Sequence, residues 1–414
     1  MTYQFPKNFL WGTATASHQV EGGNVYNDIW LMEHTPGTVF VESSGDAVDH
    51  YHRYPEDIAL LASLGFNVYR FSLEWSRIEP EEGEFNLSEL EHYRRMLVAC
   101  HAHGITPMVT YHHFSSPRWL MRHGGWSGDK PPELFARFCE RSARHLGDLT
   151  GAACTLNEIN IATLFSVLNM FRPAHADADA QRTPAWMAAA ARSLNVSPQQ
   201  FAPFMFAAGP KAIEIVQKAH RRGVEAIKSG PGTYPVGVTL ALMDIQSGPG
   251  GEEVAARVRY DVNESYLEAA RGDDFVGVQT YSRFRFGPQG MLPPEMEVTQ
   301  MGYEFLPEAL EATIRQAARV AGVPVIVTEN GVAGDDDARR VEFIQRAVKS
   351  VANCLKDGVD LRGYTYWSAF DNFEWMQGYQ MKFGLIGVDR QTQARTVKPS
   401  AQWLGSLAKS GILP

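Results

Sequence analysis

The sequence predicts a single (β/α)₈ barrel spanning residues 1–414, and three observations predict it. Strand-like apolar runs recur eight times along the chain, helical patterns separate them, and no linker divides them. Length alone would suggest two or three domains, but barrels of alternating strands and helices are the exception to that arithmetic.

The runs are, in order, FLWGTATA (9–16), NVYRFSL (67–73), TPMVTYHH (106–113), AACTLNE (152–158), PVGVTLAL (235–242), FVGVQTY (275–281), PVIVTEN (324–330) and RGYTYWSAF (362–370). Most are nearly continuous in apolar residues, as expected when both faces of a parallel strand are covered. PEDIALLASLG (55–65) and PELFARFCERSARHLG (132–147) read as helices between them. The first has proline at its start and glycine after its end, which are start and stop signals. A doubly wound open sheet is the alternative. It needs a glycine-rich phosphate loop after a strand, and none of these strands has one; GPGGEE (248–253) lacks the P-loop lysine and reads as a surface turn.

Composition narrows the function. The hydrophobic share of 44% and charged share of 21% suit a globular enzyme. A net charge of −9 argues against nucleic acid or an anionic membrane as partner. Cys100, Cys139, Cys154 and Cys354 are far apart without CxxC spacing, so they read as buried thiols in a reducing compartment. MTYQFPKNFLWG is not a signal peptide, and no window approaches twenty apolar residues. The expectation is a cytoplasmic protein; homo-oligomerisation is left open.

A barrel of this kind carries its active site at the C-terminal ends of its strands. The polar residues there are Gln19 with Glu21, Arg70, His112 with His113, Asn157 with Glu158, Tyr281, Glu329 and, beyond the eighth run, Glu374. Glu158 in TLNEIN (155–160) would close the fourth strand and Glu329 in TENG (328–331) the seventh, both facing one pocket. Two carboxylates about 5–5.5 Å apart can cleave a glycosidic bond, one attacking the anomeric carbon while the other protonates the leaving oxygen. The acid needs a raised pKa, and the nucleophile needs an adjacent cation or donor, which Arg70 and Tyr281 supply.

Other histidine and carboxylate clusters read as structural. The histidines of DHYHRY (49–54) and CHAHG (100–104) stand two apart, which on a helix points the rings to different sides rather than at one metal. Of His112 and His113, consecutive at a strand end, one should face substrate and the other the scaffold. Asp335–Asp337 reads as a solvated loop, and no metal or cofactor is expected.

The sequence also resembles the family-one glycoside hydrolases, the β-glucosidase family, over nearly its whole length. FLWGTATASHQVEG (9–22) is similar to the N-terminal signature and YRFSLEWSRIEP (69–80) to the second-strand motif. VTENGVAGDDD (327–337) is similar to the nucleophile motif, and DGVDLRGYTYWSAFDNFEWMQGYQMKFGLIGVD (357–389) to the C-terminal block. The resemblance implies Glu158 as acid/base, Glu329 as nucleophile, and Arg70 and Tyr281 as its holders. It implies Asn157 on the sugar 2-hydroxyl, Gln19, His113, Glu374 and Trp375 on the other hydroxyls, Trp367 under the sugar's apolar face and Phe383 closing that end. The substrate would be a small β-glycoside.

The departures fall elsewhere. Ile159 and Asn160 replace the usual proline and tryptophan, Gln279 the usual asparagine, and Phe114 and Tyr303 common tryptophans. Asn160 is expected on the leaving-group side, where its loss of an aromatic platform disfavours a second sugar and favours small or non-sugar aglycones. The segment 243–274 is short for the family, and 172–205 is long and expected over the cleft mouth. A transglycosidase would use the same glutamates. A non-catalytic relative would have lost one of them. A 6-phosphosugar hydrolase is disfavoured by Glu374 and Trp375.

Overall fold

The computed structural model describes residues 2–168 and 183–414. Eight strands form a closed parallel barrel: β1 Leu10–Ala14, β2 Val68–Ser72, β3 Thr106–His112, β4 Ala152–Leu156, β5 Val236–Ala241, β6 Phe275–Gln279, β7 Val325–Glu329 and β8 Leu361–Trp367. Each pairs with the next in sequence, and β8 closes onto β1. The strands lie inside the expected runs except that β8 begins one residue earlier. β4 stops at Leu156, so Glu158 stands two residues past the strand rather than closing it.

Inside the barrel Val68, Met108, Ala152, Cys154, Phe275 and Ile326 form a separate apolar plug. A barrel of eight strands leaves only enough width for side chains to fill it. Above the plug the interior turns polar, and space there is scarce. A Cβ on Gly277 would stand 2.6 Å from Thr239 Cγ2 and 2.7 Å from Thr328 Oγ1, so only glycine at 277 leaves room for those two threonines.

The outer helices include α1 His50–Leu64, α2 Leu87–Ala102, α3 Pro131–Leu146, α4 Pro210–Lys228, α5 Ala309–Ala321, α6 Asp337–Lys356 and α7 Pro399–Ser410. In α3 the buried Leu134, Phe135, Phe138, Cys139, Ser142, Ala143 and Leu146 recur at helical spacing and make one face. Burying each phenylalanine contributes about 1.5–3 kcal/mol. α4 crosses at Gly223, where a Cβ would meet Phe135 Cε1 at 2.8 Å.

The expected helix start at Pro55 is corrected: α1 begins at His50, after Asp49 in a left-handed conformation (φ 54°), and Pro55 lies inside it. Tertiary contacts anchor the extra turn, because buried His50 Nδ1 bonds Asp57 Oδ2 at 2.8 Å and Arg395 grips the same carboxylate. His52, two residues on, is largely exposed. The solvated-loop reading of 335–337 holds for exposed Asp335 and Asp336 and is corrected at Asp337. Asp336 caps α6 through Ala338 N, and Asp337 lies in the helix, bonded to Arg340 and Ser400.

All four cysteines are buried and free. Among the described residues no helix is long and apolar enough to cross a membrane, and no cluster of His, Cys, Asp and Glu could hold a metal ion. The short segment between β5 and β6 holds the strand Asp244–Ser247, paired with Arg283–Gly287, and two short helices. Of the long 172–205 segment, residues 172–182 lie outside the described residues; the rest carries the helix Ala185–Ser193 and a turn at Phe204–Phe206.

Candidate active site

The C-terminal strand ends open into a cleft of about 200 Å³. Glu329, the last residue of β7, stands on its floor with both carboxylate oxygens occupied. Arg70 Nη1 donates to Oε1 at 2.6 Å, and the Tyr281 hydroxyl donates to Oε2 at 2.6 Å. Arg70 is held by position: it sits in β2 with no exposed surface, in register with Ala14 and Met108.

Across the floor Glu158 takes a left-handed backbone (φ 47°) and donates its N–H to Thr239 Oγ1 at 3.1 Å. No hydrogen bond from a described residue reaches its carboxyl group. Burial, and then the charge of Glu329, push the Glu158 carboxyl well above the usual glutamate range. Burial raises Glu329 too, but Arg70 and Tyr281 both pull against it. Of the pair, Glu158 therefore keeps its proton to the higher pH. Glu374 is pushed up to about 8 by burial and by Glu329, against hydrogen bonds from Gln19 and Trp367.

Asn157, just before Glu158, is the most heavily bonded side chain of the site. Its Oδ1 accepts from Arg70 Nη2 at 2.6 Å, Gln279 Nε2 at 2.8 Å and Thr239 Oγ1 at 3.0 Å, and its Nδ2 meets His113 Nε2 at 3.0 Å. His113 is sandwiched near Trp367 (5.6 Å between ring centres) and Trp375 (6.0 Å). Trp375 itself lies parallel to His18 (6.1 Å), and Phe383 stands edge-on to Tyr281 (5.9 Å). Phe114 and Trp375, like Glu158, have positive φ, 68° and 45°.

The cleft wall thus brings together His113, Asn157, Glu158, Tyr281, Glu329, Trp367, Glu374, Trp375 and Phe383. Arg70 and Gln19 are placed behind it. Gln19 Nε2 bonds Phe373 O at 2.7 Å and Glu374 Oε2 at 3.2 Å, so it reaches the cleft through Glu374. His112 turns into the scaffold, bonding Ser116 Oγ at 2.9 Å and packing on Phe204 and Trp126; burial lowers its pKa to about 3.

The sequence model of glycosyl hydrolase family 1 matches residues 1–246 and 256–412. The chain belongs to glycosyl hydrolase family 1. Its relatives include beta-glucosidase A of Thermotoga maritima, 32% identical with 99% of each chain covered. Thermostable beta-glucosidase B of Thermobispora bispora is 31% identical, with 96% of this chain and 89% of that one covered. Among solved structures, beta-glycosidase BGL167 is 57% identical with TM-score 0.94, covering 98% of this chain and 97% of that one. Like these relatives it is a glycoside hydrolase.

One expectation about this family-1 cleft is corrected. Asn160 does not face the leaving group: it is fully buried and ties three backbone groups together. Its Nδ2 donates to Ala241 O (2.7 Å) and Val262 O (2.9 Å), and Oδ1 accepts from Ala241 N (3.0 Å). An amide between three backbone polar groups satisfies a burial demand that a tryptophan in the same pose could not. Ile159 is also buried and is not a wall residue. The outer wall is instead Ile161, Leu164, Phe165, Met205, Met243, Phe284, Met301 and Met376, which sequence reasoning missed. Thr239 was missed as well; its only signal was a lone hydroxyl inside an apolar strand.

Proposed function

We propose that this family-1 enzyme is a retaining β-glycosidase releasing an unphosphorylated hexose from small or non-sugar aglycones. One observation carries the reading: Glu329 is gripped by two donors at 2.6 Å, while the carboxyl of Glu158 has no donor among the described residues. A carboxylate held by a cation and a phenol stays ionised and aimed, as a nucleophile must. A buried carboxyl beside another negative charge keeps its proton, as a general acid must.

In the first half-reaction Glu329 forms a bond to the anomeric carbon as the glycosidic C–O bond breaks, and Glu158 gives its proton to the leaving oxygen. In the second, Glu158 takes a proton from water, whose oxygen displaces Glu329 and restores the β-configuration. Asn157 contacts the 2-hydroxyl, where a hydrogen bond strengthens as charge develops on the ring. His113, Glu374 and Trp375, with Gln19 through Glu374, hold the remaining hydroxyls over Trp367 and Phe383.

The aglycone preference now rests on the outer wall rather than on Asn160. Its methionine, leucine, isoleucine and phenylalanine side chains offer contact area and no hydrogen bonds, which leaves Tyr303 and Gln377 alone among the described outer residues to meet a second sugar's hydroxyls. A 6-phosphosugar is disfavoured because no Lys or Arg stands among the described wall residues. The free, buried cysteines support cytoplasmic residence. NMR of the first-formed product from an aryl β-glucoside tests the mechanism: the β-anomer is expected, and an initial α-anomer would falsify it.

A further inference from the structure

We infer that Gln279 is a positioning residue that completes the hydrogen-bond polarity of the glycone site: with Arg70 and Thr239 it saturates the Asn157 oxygen, so that Asn157 presents only N–H groups and His113 an Nδ1–H. This rests on the proposed role of Asn157 at the sugar 2-hydroxyl. The argument follows donors and acceptors one at a time.

Arginine has no acceptor, so the Asn157 atom that meets Arg70 Nη2 at 2.6 Å is the amide oxygen. Thr239 Oγ1 accepts the Glu158 N–H, which turns its own proton towards the same oxygen. Gln279 Nε2 supplies a third donor at 2.8 Å from the side opened by β6. The oxygen is then saturated and has nothing left to offer a substrate. Asn157 Nδ2 faces His113 Nε2 at 3.0 Å, and because Nδ2 can only donate, Nε2 must accept. The proton of neutral His113 is therefore on Nδ1, a buried atom with no protein partner on a residue that lines the cleft. Burial and the nearby Arg70 keep the ring neutral.

Gln279 does not line the cleft and, although it pairs in register with Glu329 across β6 and β7, its side chain makes no hydrogen bond to the Glu329 carboxylate; its own Oε1 is buried without a partner among the described residues. A side chain serving stability alone would not leave that oxygen bare, since an unmet buried acceptor is destabilising. Methionine at 279 would keep the volume and remove both the useful donor and the bare acceptor. A merely structural role and a positioning role then predict different outcomes.

The test compares wild type, Gln279→Met, Gln279→Glu and Asn157→Ala on an aryl β-glucoside and its 2-deoxy counterpart. Thermal unfolding and ¹⁵N spectra of histidine-labelled enzyme are recorded alongside, with His113 assigned through a His113→Asn variant. Gln279→Met should unfold at or above the wild-type temperature. It should lose about fivefold to tenfold in kcat/KM on the glucoside, and little on the 2-deoxy substrate. Wild-type His113 should carry the Nδ1–H signature. Gln279→Glu, an acceptor once ionised, should disturb that signature above the pH at which the new carboxyl titrates. Equal losses on both substrates in Gln279→Met, no loss on either, or an Nε2–H signature in the wild type would overturn the inference. If Asn157→Ala loses equally on both substrates, the 2-hydroxyl reading of Asn157 fails, and the His113 signature alone decides the placement of the amide.

Discussion

The two halves of the cleft are built on opposite principles. The inner half is polar and densely bonded: Glu329, Arg70, Tyr281, Asn157, Gln279 and Thr239 exchange hydrogen bonds of 2.6–3.0 Å, and all but Tyr281 are buried. The outer half is mostly apolar, assembled from Ile161, Leu164 and Phe165 on one helix and from methionines and Phe284 on other segments, with Tyr303 and Gln377 as its polar members. Direction matters inside, because charge moves along one bond. Contact area matters outside, because the leaving group needs only to be held and released. Hydrogen bonds are directional and lose much when misaligned, whereas methionine adapts its shape to its neighbour.

Breaking the inner half should produce the largest effects. Glu329→Ala should lower turnover by a factor on the order of 10⁴ or more. Added azide should restore part of it and yield an α-glycosyl azide, identified by NMR; a β-azide would contradict inversion at the first step. Glu158→Ala should cost roughly 10²–10⁴-fold on alkyl glycosides. Activated aryl glycosides, whose leaving group needs no proton, should lose far less, so a plot of rate against leaving-group pKa should steepen.

Tyr281→Phe sharpens the comparison through pH. In the proposed mechanism activity requires Glu329 ionised and Glu158 protonated, so the acid limb of kcat/KM reports the first and the alkaline limb the second. The Tyr281 hydroxyl lowers the Glu329 pKa, so its removal must raise that pKa and move the acid limb to higher pH. An acid limb that stays in place would mean that the 2.6 Å contact does not favour the ionised form. The smallest effect belongs to the outer wall. Met243→Ala or Phe284→Ala should cost about 1 kcal/mol in kcat/KM for an aryl β-glucoside and nearly nothing for a glycosyl fluoride. Wild-type activity that rises from cellobiose to cellotriose would show sugar sites where we place an apolar wall.

Much of the inner half was legible in the sequence because parallel strands advertise themselves. A buried strand is a continuous apolar run, and a polar residue ending such a run has few places to go but the barrel mouth. The outer half was less legible: Ile161, Leu164 and Phe165 share a helical spacing, but nothing local ties that helix face to Met205, Met243, Phe284, Met301 and Met376, which come from other segments. Asn160 was misread for a related reason. Its partners lie at Ala241 and Val262, 81 and 102 residues away, and nothing local announces them. The start of α1 depended on a left-handed Asp49 and on Arg395 from the far end of the chain, again outside any local window.

Phe114, Glu158 and Trp375 share one conformational oddity: each side chain reaches the cleft from a left-handed backbone. Such positions cost non-glycine residues of order 1 kcal/mol or more, and they persist only where the surroundings enforce them. A sequence optimised for thermal endurance alone would put glycine at all three, and would lose the proposed acid and two walls of the cleft. Selection for durability and selection for turnover therefore pull these codons in opposite directions, and the residues found there record which pressure prevailed.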